Sequence, residues 1–286
     1  MMVPRLRMFA VHWLVQLGML LAIVWKWKFF LSADRIYHRS PIQDPFFPAW
    51  MQSADVIRWA FCAAVVAIVF NIASWDRWLS LFCTYLTLVC LTILCLHQGS
   101  YNDATFATTW WTCLWATWYV HHMNDPDRTF TLRRGAFLSR AIISMILLGG
   151  AVGKWTPEYW DGQVMYDIYF EGRNYWTFNL LRSNFEPETL REMAIWYSRK
   201  VVVIETLCGF GLWLLPPRWA ALVGLTILTS IALFSNFYLF SVMFCLMGLS
   251  TVGFFVVGTK QAATSEQPIE QPSEDAIEPS TVDDQP

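Results

Sequence analysis

The sequence has little charge. Only 15% of its 286 residues are Asp, Glu, Lys or Arg, whereas 56% are hydrophobic. Soluble domains carry about 25% charged residues, so this composition excludes an ordinary soluble domain. The stretch from Trp219 to Gly258 contains no charged residue at all over 40 positions. The composition therefore predicts a polytopic membrane protein.

Sequence motifs for several classes of enzyme are missing. There is no phosphate-binding glycine loop, no GxSxG, no HExxH and no dinucleotide-binding fingerprint. The seven cysteines contain no CxxC pair and have no His or Cys neighbour at metal-ligand spacing, so we interpret them as small apolar residues. We predict neither a metal site nor a nucleic-acid partner.

Long apolar segments predict an all-α bundle of about eight transmembrane helices. The run from Trp219 to Gly258 would be about 60 Å long as one helix, twice the hydrocarbon thickness, so it predicts two spans with a break at Ser235–Asn236. Residues 155–198 are rich in Tyr and Trp and carry both signs of charge, which predicts short amphipathic interfacial helices between spans five and six. The other predicted spans are one that ends before Lys26 and those over residues 57–73, 78–96, 105–120, 136–153 and 201–215.

The net charge of −2 combines two different segments. Residues 259–286 hold seven acids and one lysine and are rich in Pro, Glu, Ser and Gln, which predicts a disordered acidic tail. Residues 1–258, the predicted membrane domain, hold 19 basic and 15 acidic residues. The short loops on the side of the N-terminus carry more Lys and Arg than those opposite, which predicts cytoplasmic termini. We expect a multi-pass protein of a bacterial inner membrane.

One lysine follows a membrane-type apolar run. The segment RAIISMILLGGAVGKWTPEYWDG, residues 140–162, places Lys154 where hydrocarbon should give way to the interface. A lysine held at an apolar boundary loses solvation, and this loss favours the neutral amine, which can accept a proton. The alternative interpretation is an anchor that extends to the membrane surface beside Trp155.

Four other ionisable residues lie in or beside predicted spans. Glu205 interrupts the apolar run VVVIETLCGFGLW, and we interpret it either as a partner that positions Lys154 or as half of a structural pair between helices. Arg140 lies fourteen residues before Lys154 on the same span, so the two should bracket the membrane. Asp103 and His122 lie at opposite ends of span four. His122 is interpreted either as a surface residue or as a proton-transfer group.

The order and spacing of these residues resemble the HTTM (horizontally transferred transmembrane) domain family, whose best-known member is vitamin K-dependent gamma-carboxylase. The resemblance covers roughly residues 8–255. Each landmark is weak alone, but the order and several equal spacings make the set moderately specific. The landmarks are SYND at residues 100–103, the interval from Asp103 to His122, Arg140 fourteen residues before Lys154, Lys154 eight residues before Gly162, Glu205 four residues before GF, and Asn236 followed by LFS.

The resemblance implies a reaction on a lipid-soluble quinol. In the carboxylase, a lysine at the position that matches Lys154 deprotonates vitamin K hydroquinone, which then reacts with oxygen. The strong base so formed removes a proton from a glutamate, and the carbanion adds carbon dioxide. By resemblance, Lys154 is the candidate base and His122 the candidate proton donor or carbanion stabiliser. The cofactor implied is vitamin K or menaquinone hydroquinone, and the candidate supporting residues are Glu205, Arg140, Asn102, Asp103 and Asn236.

The chain departs from the family pattern at Leu233, where the family tends to have a histidine. We therefore expect a lipid-quinol reaction, with a small peptide or lipid substrate, in preference to carboxylation of a protein. The alternative function is a non-enzymatic membrane protein, a transporter or an accessory for export or immunity, in which Lys154 and Glu205 form an interhelical pair. The enzyme hypothesis predicts that Lys154, His122 and Glu205 line one cavity.

Overall fold

The computed structural model of the chain describes residues 2–33, 35, 47–101, 103–234 and 239–256. Within these ranges every regular element is a helix, which confirms the all-α prediction. The chain divides after Val256 into two units. The second unit, which contains the predicted acidic tail, lies outside the described residues.

Twelve α-helices are present in the described part of the chain. Short 3₁₀ turns cover Ala49–Met51 and Val252–Phe255, and a π-helical turn covers Tyr166–Glu171. The α-helices are α1 (Met2–Trp25), α2 (Trp27–Leu31), α3 (Ala54–Ala73), α4 (Arg77–Leu96), α5 (Ala104–His122), α6 (Arg128–Val152), α7 (Pro157–Trp160), α8 (Gln163–Met165), α9 (Trp176–Asn184), α10 (Pro187–Gly211), α11 (Pro217–Phe234) and α12 (Phe240–Thr251).

Five of the described helices are long and apolar enough to cross a membrane: α1 over Arg5–Trp25, and α3, α4, α6 and α11. The segment Phe240–Phe255 is a shorter apolar helix. The other two helices at predicted spans, α5 and α10, carry more polar residues, threonines in α5 and a charged first half in α10. The protein is therefore a multi-pass helical membrane protein, and the number of eight spans stays a prediction.

Two helices begin earlier than their sequence patterns suggest. The basic residues that precede the predicted span 136–153 are already part of α6, because the side chain of Asp127 accepts a hydrogen bond from the Phe130 N–H at 2.9 Å and starts the helix there. Similarly, α10 continues from the predicted interfacial segment into span six without a break. Pro187 at its first position and Glu188 in its first turn are favourable helix starts.

The segment before α10 contains the short helices that the sequence predicts. Helices α7, α8 and α9 and the π-helical turn lie between α6 and α10, and we call residues 155–186 the cap. The predicted division of the uncharged run 219–258 into two helices is confirmed, since α11 ends at Phe234 and α12 begins at Phe240. The proposed break at Ser235–Asn236 lies outside the described residues.

Helices α1 and α12 form the centre of the bundle. Each packs against the other and against α5 and α6, while α3 contacts α1 and α11 contacts α12. A methyl group at Gly18 would lie 2.6 Å from the carbonyl oxygen of Phe244, so these two backbones approach closely. The buried threonines of α5 include two that face this centre. Thr105 bonds to Ser241 at 2.7 Å, and Thr109 contacts Cys245 at 3.3 Å.

A polar group in the bundle centre lacks a partner. Gln16 is 1% exposed, and neither amide atom has a hydrogen-bond partner among the described residues. An unsatisfied buried amide costs about 1–3 kcal/mol. We therefore expect Gln16→Leu to raise the melting temperature in detergent. The control is Asn71→Leu, which we expect to lower it, because Asn71 bonds to His12 at 3.1 Å and to Thr84 at 2.9 Å. A fall with Gln16→Leu would contradict the prediction.

Candidate functional site

Lys154, just after the end of α6, forms an ion pair with Glu205 in the last two turns of α10. The Lys154 Nζ atom lies 2.5 Å from Oε1 of Glu205 and also contacts Oε2. The Glu205 side chain is 10% exposed and the Lys154 side chain 28% exposed. The contact predicted between these two residues is therefore present, and the pair remains accessible from the lysine side.

The packing of α6 on α10 fixes the position of this pair. A methyl group at Gly209 would lie 2.5 Å from Cγ of Leu148, so only a glycine allows the two helices to come this close. The Ser144 hydroxyl donates a hydrogen bond to the Gly209 carbonyl oxygen across the same contact. Trp213 Nε1–H donates to the Ser144 hydroxyl oxygen at 3.0 Å. These contacts hold the face of α10 that carries Glu205 against the end of α6.

Two glycines near the end of α6 lie in different surroundings, and Gly150 faces the ion pair. A methyl group at Gly150 would lie 3.5 Å from Oε2 of Glu205 and 3.8 Å from Nζ of Lys154. Helix α6 ends at Val152, and the Lys154 N–H donates to the Ala151 carbonyl oxygen at 2.9 Å. Gly149 has no atom within 4 Å of its missing methyl position. The surface beside Lys154 is therefore open.

The cap contains a buried tyrosine, Tyr159. Burial, and then the negative charge of Glu205, raise the pKa of the Tyr159 hydroxyl, so this group stays protonated. The Ser198 hydroxyl donates to the Tyr159 carbonyl oxygen and ties the cap to α10. Gly162, at φ 83°, lies against the Ile195 backbone, where a methyl group would come within 2.6 Å. The cap therefore sits directly on α10, two to three turns from Glu205.

An apolar crevice of about 320 Å³ lies between α10 and α11. We call it the α10–α11 crevice. Glu205 forms part of its wall, so the ion pair borders an apolar space that is open at the side of the bundle. Its other lining residues are mostly apolar, with two hydroxyls and one amine: Tyr197, Lys200, Val201, Ile204, Ile227, Ser230, Ile231 and Phe234.

The cap closes one end of this crevice through hydrogen bonds to the end of α11. Tyr175 OH donates to the Leu233 carbonyl oxygen at 2.6 Å, and Trp176 Nε1–H donates to the same oxygen at 3.2 Å. The Thr177 hydroxyl donates to the Phe234 carbonyl oxygen at 2.9 Å. Carbonyl groups at a helix end lack partners within the helix, so these bonds satisfy them and fix the cap on α11.

The structure does not bring His122 to the pair. His122 ends α5, and the Thr131 hydroxyl near the start of α6 donates to its carbonyl oxygen at 3.5 Å. Thr131 and the end of α6 are 21 residues apart, about 30 Å along the helix. The prediction that His122 shares a cavity with Lys154 and Glu205 is therefore wrong, because α5 and α6 run in opposite directions. The His122 ring stacks on Trp118 instead, with ring centroids 4.9 Å apart.

The remaining predicted residues lie apart from the pair or outside the described residues. Asp103 accepts a hydrogen bond from the Thr105 N–H at 2.8 Å and pairs with Lys26 at 2.7 Å, which gives it a structural role at the start of α5. Arg140 lies fourteen residues before Lys154, about 20 Å along α6, with its guanidinium over Trp213 at 5.8 Å. Asn102 and Asn236 lie outside the described residues.

Sequence reasoning missed the crevice, although its pattern is present in the sequence. Tyr197, Val201 and Glu205 follow one another at four-residue spacing, which places them on one face of α10. Ile227 and Ile231 on α11 have the same spacing. The sequence could not show that these two faces border the same space. Among the described residues there is no group of three or more His, Cys, Asp or Glu side chains that could hold a metal ion.

Comparison of the chain with protein-family models, with curated proteins and with solved structures gives no match.

Proposed function

We propose that this membrane protein binds a lipophilic quinol in the α10–α11 crevice, with the polar ring at the Lys154–Glu205 pair. The observation that carries the proposal is that Glu205, ion-paired with Lys154, forms part of the wall of a mostly apolar crevice. Ligand pockets of about 300–1,000 Å³ are typically apolar, with a few polar groups that orient the ligand. The crevice has this composition and is open to the side of the bundle.

The lining residues fit a quinol with an isoprenoid tail, such as a menaquinone or vitamin K hydroquinone. Ile204, Ile227 and Ile231 supply apolar surface for a tail. Ser230 and Glu205 supply groups that can bond to a ring hydroxyl. A bound quinol would supply electrons and an acidic hydroxyl, while the chain supplies the apolar walls and the base.

The pair can hold and transfer one proton. For Lys154 to act as the base, its Nζ must first release a proton, and the Glu205 carboxylate that it contacts is the group placed to accept that proton. The amine so formed would then accept a proton from a quinol hydroxyl that approaches from the exposed side of Lys154.

The reaction that we propose is the one that the resemblance to the HTTM family implies. In that reaction Lys154 is the base, and the chemistry is of the epoxidase or carboxylase type with oxygen and carbon dioxide. The position of His122 at the far end of α6 gives no support to a role for it at this pair. We further propose that the protein lies in a bacterial inner membrane with both termini in the cytoplasm. The short loops on the side of the N-terminus carry more Lys and Arg than the loops opposite, which supports this orientation.

A second candidate is a non-enzymatic transporter or accessory protein. The contact of Lys154 Nζ with both Glu205 carboxylate oxygens favours it, because such a pair ties α6 to α10 without further chemistry. In that case the crevice binds only membrane lipid.

The test compares two substitutions on neighbouring residues of α10. Ile204 lines the crevice and is 45% exposed, whereas Val203 is 40% exposed and does not line it. The protein is extracted in mild detergent, and co-purifying lipids are quantified by mass spectrometry. We expect stoichiometric menaquinone or a related quinone with the unchanged protein, about tenfold less with Ile204→Trp, equivalent to about 1.4 kcal/mol, and no loss with Val203→Trp.

Three outcomes would contradict the proposal. Phospholipid alone in the unchanged protein would exclude a resident quinol and favour the non-enzymatic candidate. Equal loss of quinone with Val203→Trp would show that the crevice is not the site. Retention of quinone with Ile204→Trp in a folded protein would show the same.

A further inference from the structure

Arg140 presents an unusual combination of position and partners. It lies within α6 and is half-buried. Its guanidinium group is 5.8 Å from the ring of Trp213. Among the described residues no carboxylate lies within ion-pair distance of it. An arginine in a membrane-spanning helix is costly unless its charge and its five N–H donors have partners.

The surroundings of Arg140 are positively charged. Its pocket lies where the end of α10, the start of α11 and the turn after α12 meet. The segments 136–143, 212–221 and 250–256 that form this region contain two arginines, Arg140 and the exposed Arg218, and no Asp or Glu. The hydroxyls of Ser139 and Ser250, which line the pocket, donate to backbone carbonyl oxygens. The local charge therefore favours an anion.

The space behind the guanidinium is too small for a ligand. It measures about 20 Å³, which is room for about one water molecule. An anion therefore meets Arg140 at the mouth of the pocket. Two exposed aromatic side chains lie next to the guanidinium: Trp213, 39% exposed, is 5.8 Å from it, and the Phe137 ring, 57% exposed, is 5.3 Å from the Trp213 ring. Exposed aromatic residues next to arginines are typical of the level where lipid headgroups meet hydrocarbon.

We propose that Arg140 binds the phosphate of an anionic phospholipid. The phosphate oxygens match the fork of guanidinium N–H donors, and the acyl chains lie along the exposed aromatic residues next to the guanidinium. Arg218, next in sequence to the lining residue Pro217, adds a second positive charge to this region, which favours an anionic headgroup over a zwitterionic one. This site is about 20 Å from Lys154 along α6, and it is independent of the quinol proposed for the crevice.

The test compares Arg140, which lines the pocket, with Arg134, an arginine on the same helix that does not. Arg134 and Arg140 both lie on α6, over aromatic rings at 5.9 and 5.8 Å, but Arg134 is exposed and does not line the pocket. Delipidated protein is titrated with phosphatidylglycerol or with phosphatidylcholine of the same acyl chains, and bound lipid is counted by native mass spectrometry. We expect about fivefold tighter binding of phosphatidylglycerol, lost in Arg140→Met and retained in Arg134→Met.

Two further experiments distinguish a phospholipid from free phosphate and provide a second variant in case Arg140→Met does not fold. Inorganic phosphate should not compete with phosphatidylglycerol at equal concentration; if it does, the site binds free phosphate and the proposal is overturned. Equal affinity for the two lipids, or an unchanged preference in Arg140→Met, also overturns it. If Arg140→Met does not fold, Arg140→Lys is used in its place. Lysine keeps the positive charge but lacks the forked N–H donors of the guanidinium group, so we expect a weaker preference for phosphatidylglycerol over phosphatidylcholine. An unchanged preference in Arg140→Lys would then count against phosphate recognition by the guanidinium.

Discussion

Replacing Lys154 with methionine should lower the free energy of unfolding by about 3 kcal/mol. The substitution leaves the Glu205 carboxylate, which is 10% exposed, without its counter-ion, and removal of one partner from a buried pair costs about 3–5 kcal/mol. We expect the lower end because the Lys154 side chain is 28% exposed. Replacing Glu205 with leucine in the same chain removes the uncompensated charge and should restore most of the stability.

The measurement is equilibrium unfolding in detergent micelles, with quinone content recorded for each variant. The double variant Lys154→Met with Glu205→Leu separates the two candidate functions. If the double variant is stable and has lost its quinone, the pair takes part in binding. If it is stable and keeps its quinone, the pair is only a structural link between α6 and α10. A single Lys154→Met variant as stable as the unchanged protein would contradict the ion pair itself.

The substitution Gly209→Ala should also destabilise the protein, by about 1–3 kcal/mol. A methyl group there would lie 2.5 and 2.6 Å from two atoms of the Leu148 side chain, so either this side chain must leave its rotamer or α6 and α10 must move apart. Movement of the helices would also stretch the bond from the Ser144 hydroxyl to the Gly209 carbonyl oxygen. Because Glu205 lies one turn away on the same helix, loss of quinone should accompany the loss of stability.

The control for this prediction is Gly211→Ala on the same helix, where no atom lies within 4 Å of the added methyl position. It should change stability by less than about 1 kcal/mol, since only helix propensity is altered. Equal effects of Gly209→Ala and Gly211→Ala would refute the close contact.

A double variant tests the same contact. In thermal unfolding, Leu148→Ala combined with Gly209→Ala should destabilise the protein by about 1 kcal/mol less than the sum of the two single changes, because the smaller side chain at residue 148 leaves space for the added methyl group.

The sequence predicts the helices well because each long apolar run must satisfy its backbone within a helix. It predicts their ends less well. At Arg128 the chain looks like a basic connector, yet the cap at Asp127 starts α6 there. Between Tyr197 and Val201 the composition changes from polar to apolar, but nothing in the backbone interrupts α10. The composition of a segment indicates whether lipid or water surrounds it, whereas the position at which a helix begins or ends depends on local hydrogen bonds.

The sequence predicts the Lys154–Glu205 pair but not the rest of the candidate site. Lys154 and Glu205 are both costly in an apolar run, and this cost indicates that each needs a partner. The grouping of His122 with them relied on resemblance, although the alternating direction of successive helices already places the end of α5 far from the end of α6. Tyr159 and the crevice depend on contacts between segments distant in sequence, which spacing along a single helix cannot reveal.

The continuity of α10 has a mechanical consequence. The helix is a single rod, and its close contact with α6 at Gly209 and Leu148 would act as a pivot if the rod tilted. Its tip at Pro187 is 22 residues from that pivot, about 33 Å, whereas Glu205 is four residues away, about 6 Å. A swing of about 5 Å at the tip would therefore displace Glu205 by only about 1 Å. Movement of the cap is thus reduced about fivefold before it reaches the ion pair.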